Sequence, residues 1–308
     1  MKKVISISLG SDKRDHKVET EFLGEKISIE RRGTNGDKKL AKELFTKLDG
    51  KYDAFGMGGI DLSIKVGNKQ YEFKDAKKLI ENVKKTPVVD GSGLKNTLER
   101  IAVKYIDEQL SFDLSTKKVL ITSAMDRFGM AEAFYERGAE VVCGDLMFGL
   151  GVPLRIKSLK VLKVVASVVA PIVTKLPFEL VYPTGEKQEI EKDSNDKFKK
   201  YYDEADIIAG DYHYIKAHLP KRIDNKIILT NTTTESDISM LRDRKAKSII
   251  TTTPNLNGRT FGTNVMEAVL VTMIEKKSAD INKQDYIDLL KKLDFKPNYI
   301  TFENWKGD

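Results

Sequence analysis

Cysteine is nearly missing from this chain. Cys143 is alone in 308 residues, so no intramolecular disulfide can form. Set in the apolar run VVCG, its thiol is expected in the core and not as a nucleophile. Histidine is scarce as well: His16, His213 and His218 have no cysteine partners at zinc spacing, and no metal site is expected. No dense arginine patch with interleaved aromatics occurs, which argues against nucleic acid as a partner. A long uninterrupted apolar run is also lacking. The most apolar stretch, Leu159 to Leu176, is cut by Lys160, Lys163, Lys175 and Pro171. A membrane span needs roughly 20 consecutive apolar residues, so no stable membrane insertion is expected. The stretch reads as a helix packing between domains or subunits, with membrane contact as the lesser alternative, which makes a homodimer a candidate assembly. The start, MKKVISISLGSD, has the charge of a leader but too short an apolar stretch. It reads as a first strand, with a cytoplasmic location expected.

What is present suits an ordinary globular protein, with 40% hydrophobic and 32% charged residues. The net charge of +7 is a modest excess that leans toward a small-molecule anionic substrate. The length favours two domains. Early on, VISISL reads as a strand, and KVETEFLG with KISIERRG as an antiparallel pair. NGDKKLAKELFTKLDG reads as an amphipathic helix with Leu40, Leu44, Phe45 and Leu48 on one face. A long helix from Leu94 to Ile106 then acts as a connector. Beyond it, short apolar strands alternate with helices, which argues for a parallel sheet covered on both faces. The expected fold is α/β with two domains joined by long helices: a small N-terminal α/β domain and a Rossmann-like parallel-sheet domain. Residues 1–111 are expected to form a substrate domain with the connector, 112–260 the nucleotide-binding domain, and 261–308 a returning helix and tail.

The segment KKVLITSAMDRFGMAEAFYERGAEVVCGD carries the main functional signal. It spells strand, polar turn, helix and second strand ending in an acid. Free amides at such a helix start attract phosphate, and an acid after the second strand suits a ribose. The candidate cofactor residues in the turn are Ser123, Met125, Asp126, Arg127, Phe128 and Gly129, followed by Asp145. A simpler reading makes Asp126 a helix cap and Arg127 a solvated cation. Gly210, Thr230, Asn231 and Thr252 fall at later strand ends and are expected to converge on the same crevice.

Candidates for chemistry lie mostly elsewhere. GMGGIDLSIKVG sets Asp61 and Lys65 four residues apart, either as a substrate-binding pair or as one face of a half-solvated strand. In DGSG, Asp90 caps the connector helix or assists proton transfer with Lys65. His213 has a titration range suited to a proton relay, with Asp211 positioned to orient it. Taken together, the small first domain, DGSGLKNTLER, the dinucleotide-like unit and the FGTNVMEAVLVTM helix resemble the quinate/shikimate dehydrogenase family. The likeness lies nearest a bacterial branch labelled quinate 5-dehydrogenase. That resemblance implies NAD or NADP as cofactor, a Lys65/Asp90 catalytic pair, and oxidation of a small polar hydroxy acid or polyol. The glycine-rich fingerprint of that family is replaced here by SAMDRFGM. The competing expectation is a non-catalytic protein that binds a nucleotide or phosphorylated metabolite in a sensing or regulatory role.

Overall fold

The computed structural model describes residues 1–66, 69–110, 112–176, 198–256 and 259–302, apart from a few side chains within them, that of Lys65 included. It is a mixed α/β protein whose described residues divide into two units, each built on its own largely parallel sheet. The first unit takes Met1–Thr97, residues 166–176 and Phe261–Phe295. The second takes Leu98–Val165, residues 198–260 and residues 296–302.

The first sheet begins with β1 (Lys2–Ser8), whose Val4, Ile5 and Ile7 are buried on both faces, as a central parallel strand requires. β2 (His16–Phe22) and β3 (Glu25–Gly33) form the expected antiparallel hairpin. Leu23 and Gly24, both at positive φ, make its two-residue turn. Helix α1 (Lys38–Leu48) is capped by the Asp37 carboxylate and buries Ala41 and Phe45. Leu40, expected on that buried face, is exposed at 41% because it lies on the first turn, one position ahead of the Ala41/Phe45 stripe. β4 (Ala54–Gly58) follows, then the small hairpin of β5 (Ser63–Val66) and β6 (Lys69–Glu72), helix α2 (Lys74–Ile80) and β7 (Val88–Val89). The sheet order is β2-β3-β1-β4-β7, with β1 parallel to both β3 and β4.

The connector is α3 (Ser92–Glu108), 17 residues long. In the second unit come β8 (Lys118–Ile121), α4 (Phe128–Glu136), β9 (Glu140–Cys143), the start of α5 (Leu159–Val173), whose residues from Ala166 on are counted in the first unit, α6 (Lys199–Glu204) and β10 (Ile207–Ala209). α7 (Tyr212–His218), β11 (Ile227–Thr230), α8 (Glu235–Asp243) and β12 (Ser248–Thr251) continue the alternation. β13 (Asn255–Leu256) and β14 (Arg259–Thr260) make a short hairpin. α9 (Thr263–Met273) and α10 (Lys283–Lys292) belong to the first unit, where α9 covers β1 and β4. β15 (Asn298–Thr301) closes the second sheet as an antiparallel edge. Its order is β15-β12-β11-β10-β8-β9, with β8 to β12 all parallel. Counted from β8, the parallel strands run 2-1-3-4-5, the order of a doubly wound sheet. The chain changes direction between β8 and β10, which is where such sheets leave a crevice at their carboxyl edge.

Candidate functional site

At the carboxyl edge of the second sheet, the turn after β8 faces the turns after β9 and β10. The α4 helix starts at Phe128, with Arg127 at its N-cap, later than the Ser123 or Asp126 expected. The amides of this turn do attract an anion, and the anion is the protein's own. Asp145 accepts from Met125 N at 2.8 Å and Ala124 N at 3.2 Å. Glu99, reaching from α3, accepts the Met130 amide inside the first turn of α4 at 3.1 Å. The groups expected to hold a pyrophosphate are thus filled by two buried carboxylates. The acid expected to hold a ribose is one of them. Burial raises the Asp145 carboxyl to about 6 despite the opposing pull of the Met125 and Ala124 amides.

Arg127 is not a solvated cation. Its guanidinium is buried between Glu99 Oε1 (3.1 Å), Asp211 Oδ2 (2.8 Å) and Asp126 Oδ2 (3.2 Å). Burial works against its charge, and the three carboxylates outweigh it, holding the guanidinium firmly protonated. Asp211 Oδ1 also caps α7 by accepting the His213 amide at 2.9 Å, and its Oδ2 takes the Asn231 side-chain amide at 2.8 Å. Asn231 Oδ1 in turn accepts from Tyr212 N and from the Thr230 hydroxyl, which also donates to the Gly210 carbonyl. The Thr252 amide donates to the Thr230 carbonyl. Gly210 stands at φ +138°, and a Cβ there would collide with the Thr122 hydroxyl, so the close passage of β8 and β10 needs glycine. The hydroxyl of Ser123 is buried and has no partner among the described residues. Tyr214 faces the same carboxylates: burial first, then Asp126, Asp211 and Asp145, push its phenol up to about 12.

The structure therefore gathers Ser123, Met125, Asp126, Arg127, Phe128, Gly129, Asp145, Gly210, Thr230, Asn231, Thr252 and the backbone of His213 along one edge of the second unit. Sequence reasoning missed Glu99 and Tyr214. Glu99 carried a signal: with Ala102, Val103 and Ile106 at three, four and seven residues on, it sits on the apolar stripe of α3 and not on its solvated face.

Lys65, Asp61 and Asp90 belong to the first unit. Asp90 accepts from Leu62 N at 2.6 Å and Ser92 N at 2.9 Å, pinning the loop after β4 and capping α3. Asp61 pairs with Lys95 at 3.8 Å. Lys65 falls on β5, and its side chain lies outside the described residues. A buried carboxyl absent from the sequence expectations stands beside Asp90. Glu267 of α9 accepts from Gly91 N at 2.7 Å and from the Tyr286 hydroxyl at 2.9 Å. Burial, then the neighbouring Asp90, raises it to about 7.

Fold and edge together define a two-domain α/β protein with an acidic polar cluster on its second sheet. The chain belongs to the family described as Domain of unknown function (DUF8754), whose model matches residues 93–302. A further model, Domain of unknown function (DUF8753), matches residues 3–90. No curated protein matches. Similar solved structures include a periplasmic ribose ABC transporter from Conexibacter woesei DSM 14684, at 10% identity and TM-score 0.39, covering 98% of this chain and 92% of that one. An ABC transporter solute-binding protein from Burkholderia graminis C4D1M in complex with D-arabinose gives 8% identity and TM-score 0.41, covering 100% and 97%. The periplasmic binding protein of the arabinose ABC transporter from Shewanella sp. ANA-3 gives 8% and 0.37, covering 99% of each. At these scores the ligands of those proteins are not transferred to this chain.

Several expectations are corrected. The resemblance to quinate/shikimate dehydrogenases does not hold: the family models that match are the two domains above. NAD and NADP are overturned as cofactors, since the turn amides here are consumed by Asp145 and Glu99. The oxidoreductase and dehydrogenase assignments go with the cofactor, as Asp90 spends its carboxylate on two backbone amides. The cytoplasmic location is withdrawn as well, because neither matching family model speaks for it. No helix among the described residues is long and apolar enough to cross a membrane.

Proposed function

We propose that this protein is a non-catalytic binding protein for a small, uncharged, polyhydroxylated molecule, with a sensing or regulatory role. The ligand would sit on the carboxyl edge of the second sheet. The observation that carries the reading is the buried Arg127 guanidinium, which pairs with two partly exposed carboxylates, Asp126 and Asp211, the latter also held by Asn231. Neighbouring hydroxyls of a sugar or polyol donate to carboxylates and accept from amide N–H groups, and both partners are supplied here in rigid positions. The unmatched Ser123 hydroxyl adds a further donor and acceptor. An anionic ligand, favoured by the net charge of the chain, is disfavoured at this edge. One guanidinium faces the carboxylates of Glu99, Asp126 and Asp211, with Asp145 close by, so a phosphate would enter a surplus of negative charge. No nucleophile with an adjacent base is needed for such a role.

Thermal-shift and calorimetric titration of the full chain with neutral pentoses, hexoses and polyols, alongside their phosphate esters, tests the reading. A neutral sugar is expected to raise Tm, and Asp126→Asn to weaken that sugar by about tenfold, the worth of one charge-assisted hydrogen bond. Binding of the phosphate esters alone, or of none of the compounds, would overturn it.

A further inference from the structure

Helix α5 carries an apolar face that is exposed among the described residues. Leu162, Ala166, Ala170 and Thr174, four residues apart, are its buried stripe. On another face Val161, Val164, Val168, Ile172 and, just past the helix end, Leu176 recur at spacings of three and four. All five are between 41% and 65% exposed. Single exposed aliphatics are ordinary, but a continuous stripe of them marks a surface that meets something. Helix propensity does not account for it, because Val and Ile are poor choices for a solvated helix face. The turn leading into α5 adds exposed Leu150, Val152 and Leu154.

Charge says what the surface meets. From Leu146 to Leu176 the chain holds Arg155, Lys157, Lys160, Lys163 and Lys175 and no acidic residue. Arg155, Lys157 and Lys163 reach acids elsewhere, namely Glu204, Glu140 and Glu132. Lys160 and Lys175 are exposed and have no ion-pair partner among the described residues. A second copy docking through the same face would set lysine against lysine with no acid on either helix to pair them. Protein interfaces favour arginine and aromatics and avoid lysine, whereas the exposed cations of α5 are lysines and its open stripe has no aromatic. An apolar stripe edged by lysines is what an anionic headgroup layer accepts, the aliphatics entering the acyl boundary and the ammonium groups staying among the phosphates.

We propose that α5, with the turn at 150–154, docks the protein onto an anionic lipid surface, lying in the interface without spanning it. The full chain is expected to float with vesicles of phosphatidylcholine and phosphatidylserine in equal parts, and about tenfold less with pure phosphatidylcholine. Raised salt should weaken the binding. Val164→Ser/Val168→Ser and, separately, Lys160→Glu/Lys175→Glu should each reduce flotation at least about tenfold while the thermal melt stays within a few degrees of wild type. Sedimentation velocity on the same samples distinguishes the competitor. No flotation with the anionic vesicles overturns the proposal, as does flotation that survives both variants. A dimer dispersed by the valine variant without any lipid binding assigns the face to a second copy instead.

Discussion

Arg127 is buried together with Glu99, and both Asp211 and Asp126 lean on the same guanidinium. Removing it by Arg127→Met strands a fully buried carboxylate, at an expected cost of about 3 to 5 kcal/mol. Urea unfolding measures this, and Glu99→Gln on top of Arg127→Met should recover part of the loss, since the stranded charge is then gone. A loss below about 1 kcal/mol would mean that the clamp is not what organises this edge. Glu267 makes a different residue-scale case. Its carboxyl is raised to about 7 in the fold, against an ordinary value of 4.5. The folded state therefore holds a proton that the unfolded chain releases between those two values, and this group's contribution to stability falls as pH rises through that window. The penalty is absent below about 4.5 and complete above about 7. Glutamine can still accept from Gly91 N and donate to the Tyr286 oxygen, so Glu267→Gln should flatten that slope and melt no lower than wild type at pH 8. Such roles were hard to read in advance. In the sequence, Arg127 and Asp145 suit a phosphate and a ribose. The sequence pattern marks where an anion is wanted, but not that the chain supplies its own.

Elements were more legible than side-chain roles, because periodicity reports burial directly. The β2–β3 hairpin, α1, the connector and the strand–turn–helix around Ser123 all lie where alternating or 3.6-residue patterns place them. The miss at Leu40 came from a stripe that could be drawn through either of two neighbouring residues. The DGSG turn shows how much one backbone angle decides. Gly91 stands at φ +94°, and a Cβ on it would lie 2.7 Å from Asn264 N at the start of α9. Gly91→Ala thus meets both a left-handed penalty and a backbone collision that no rotamer relieves. A loss of roughly 2 to 4 kcal/mol is expected in chemical unfolding. The neighbouring Ser92→Ala should stay within about 0.5 kcal/mol, because it is the Ser92 amide, kept in that variant, that bonds Asp90. Equal effects from the two changes would show that the turn tolerates a side chain and that its geometry is not specified by glycine.

At the scale of the whole molecule, the order of elements along the chain does not match the order in which they pack. The first unit draws α9 and α10 from beyond residue 260, although the family matches part the chain near residue 90. A sequence read from left to right sees a complete-looking α/β segment in the first ninety residues, and its apolar pattern does not say how much of that core the helix expected to return after residue 260 supplies. Here the cover is α9, with Val265, Met266, Val269, Leu270 and Val271 buried and Glu267 fastened to Gly91. Burying five such side chains is worth on the order of 10 kcal/mol, as much as the net stability of an ordinary domain. A fragment ending at Asp90 should therefore lack a cooperative thermal transition and expose its β1–β4 face. Co-expression with a fragment covering Phe261–Phe295 should restore the transition, because the missing layer is then supplied in trans. Circular dichroism melts of the fragment alone and of the pair decide the point. A sharp melt from residues 1–90 alone would mean that the sheet closes its own core and that α9 is an accessory to it.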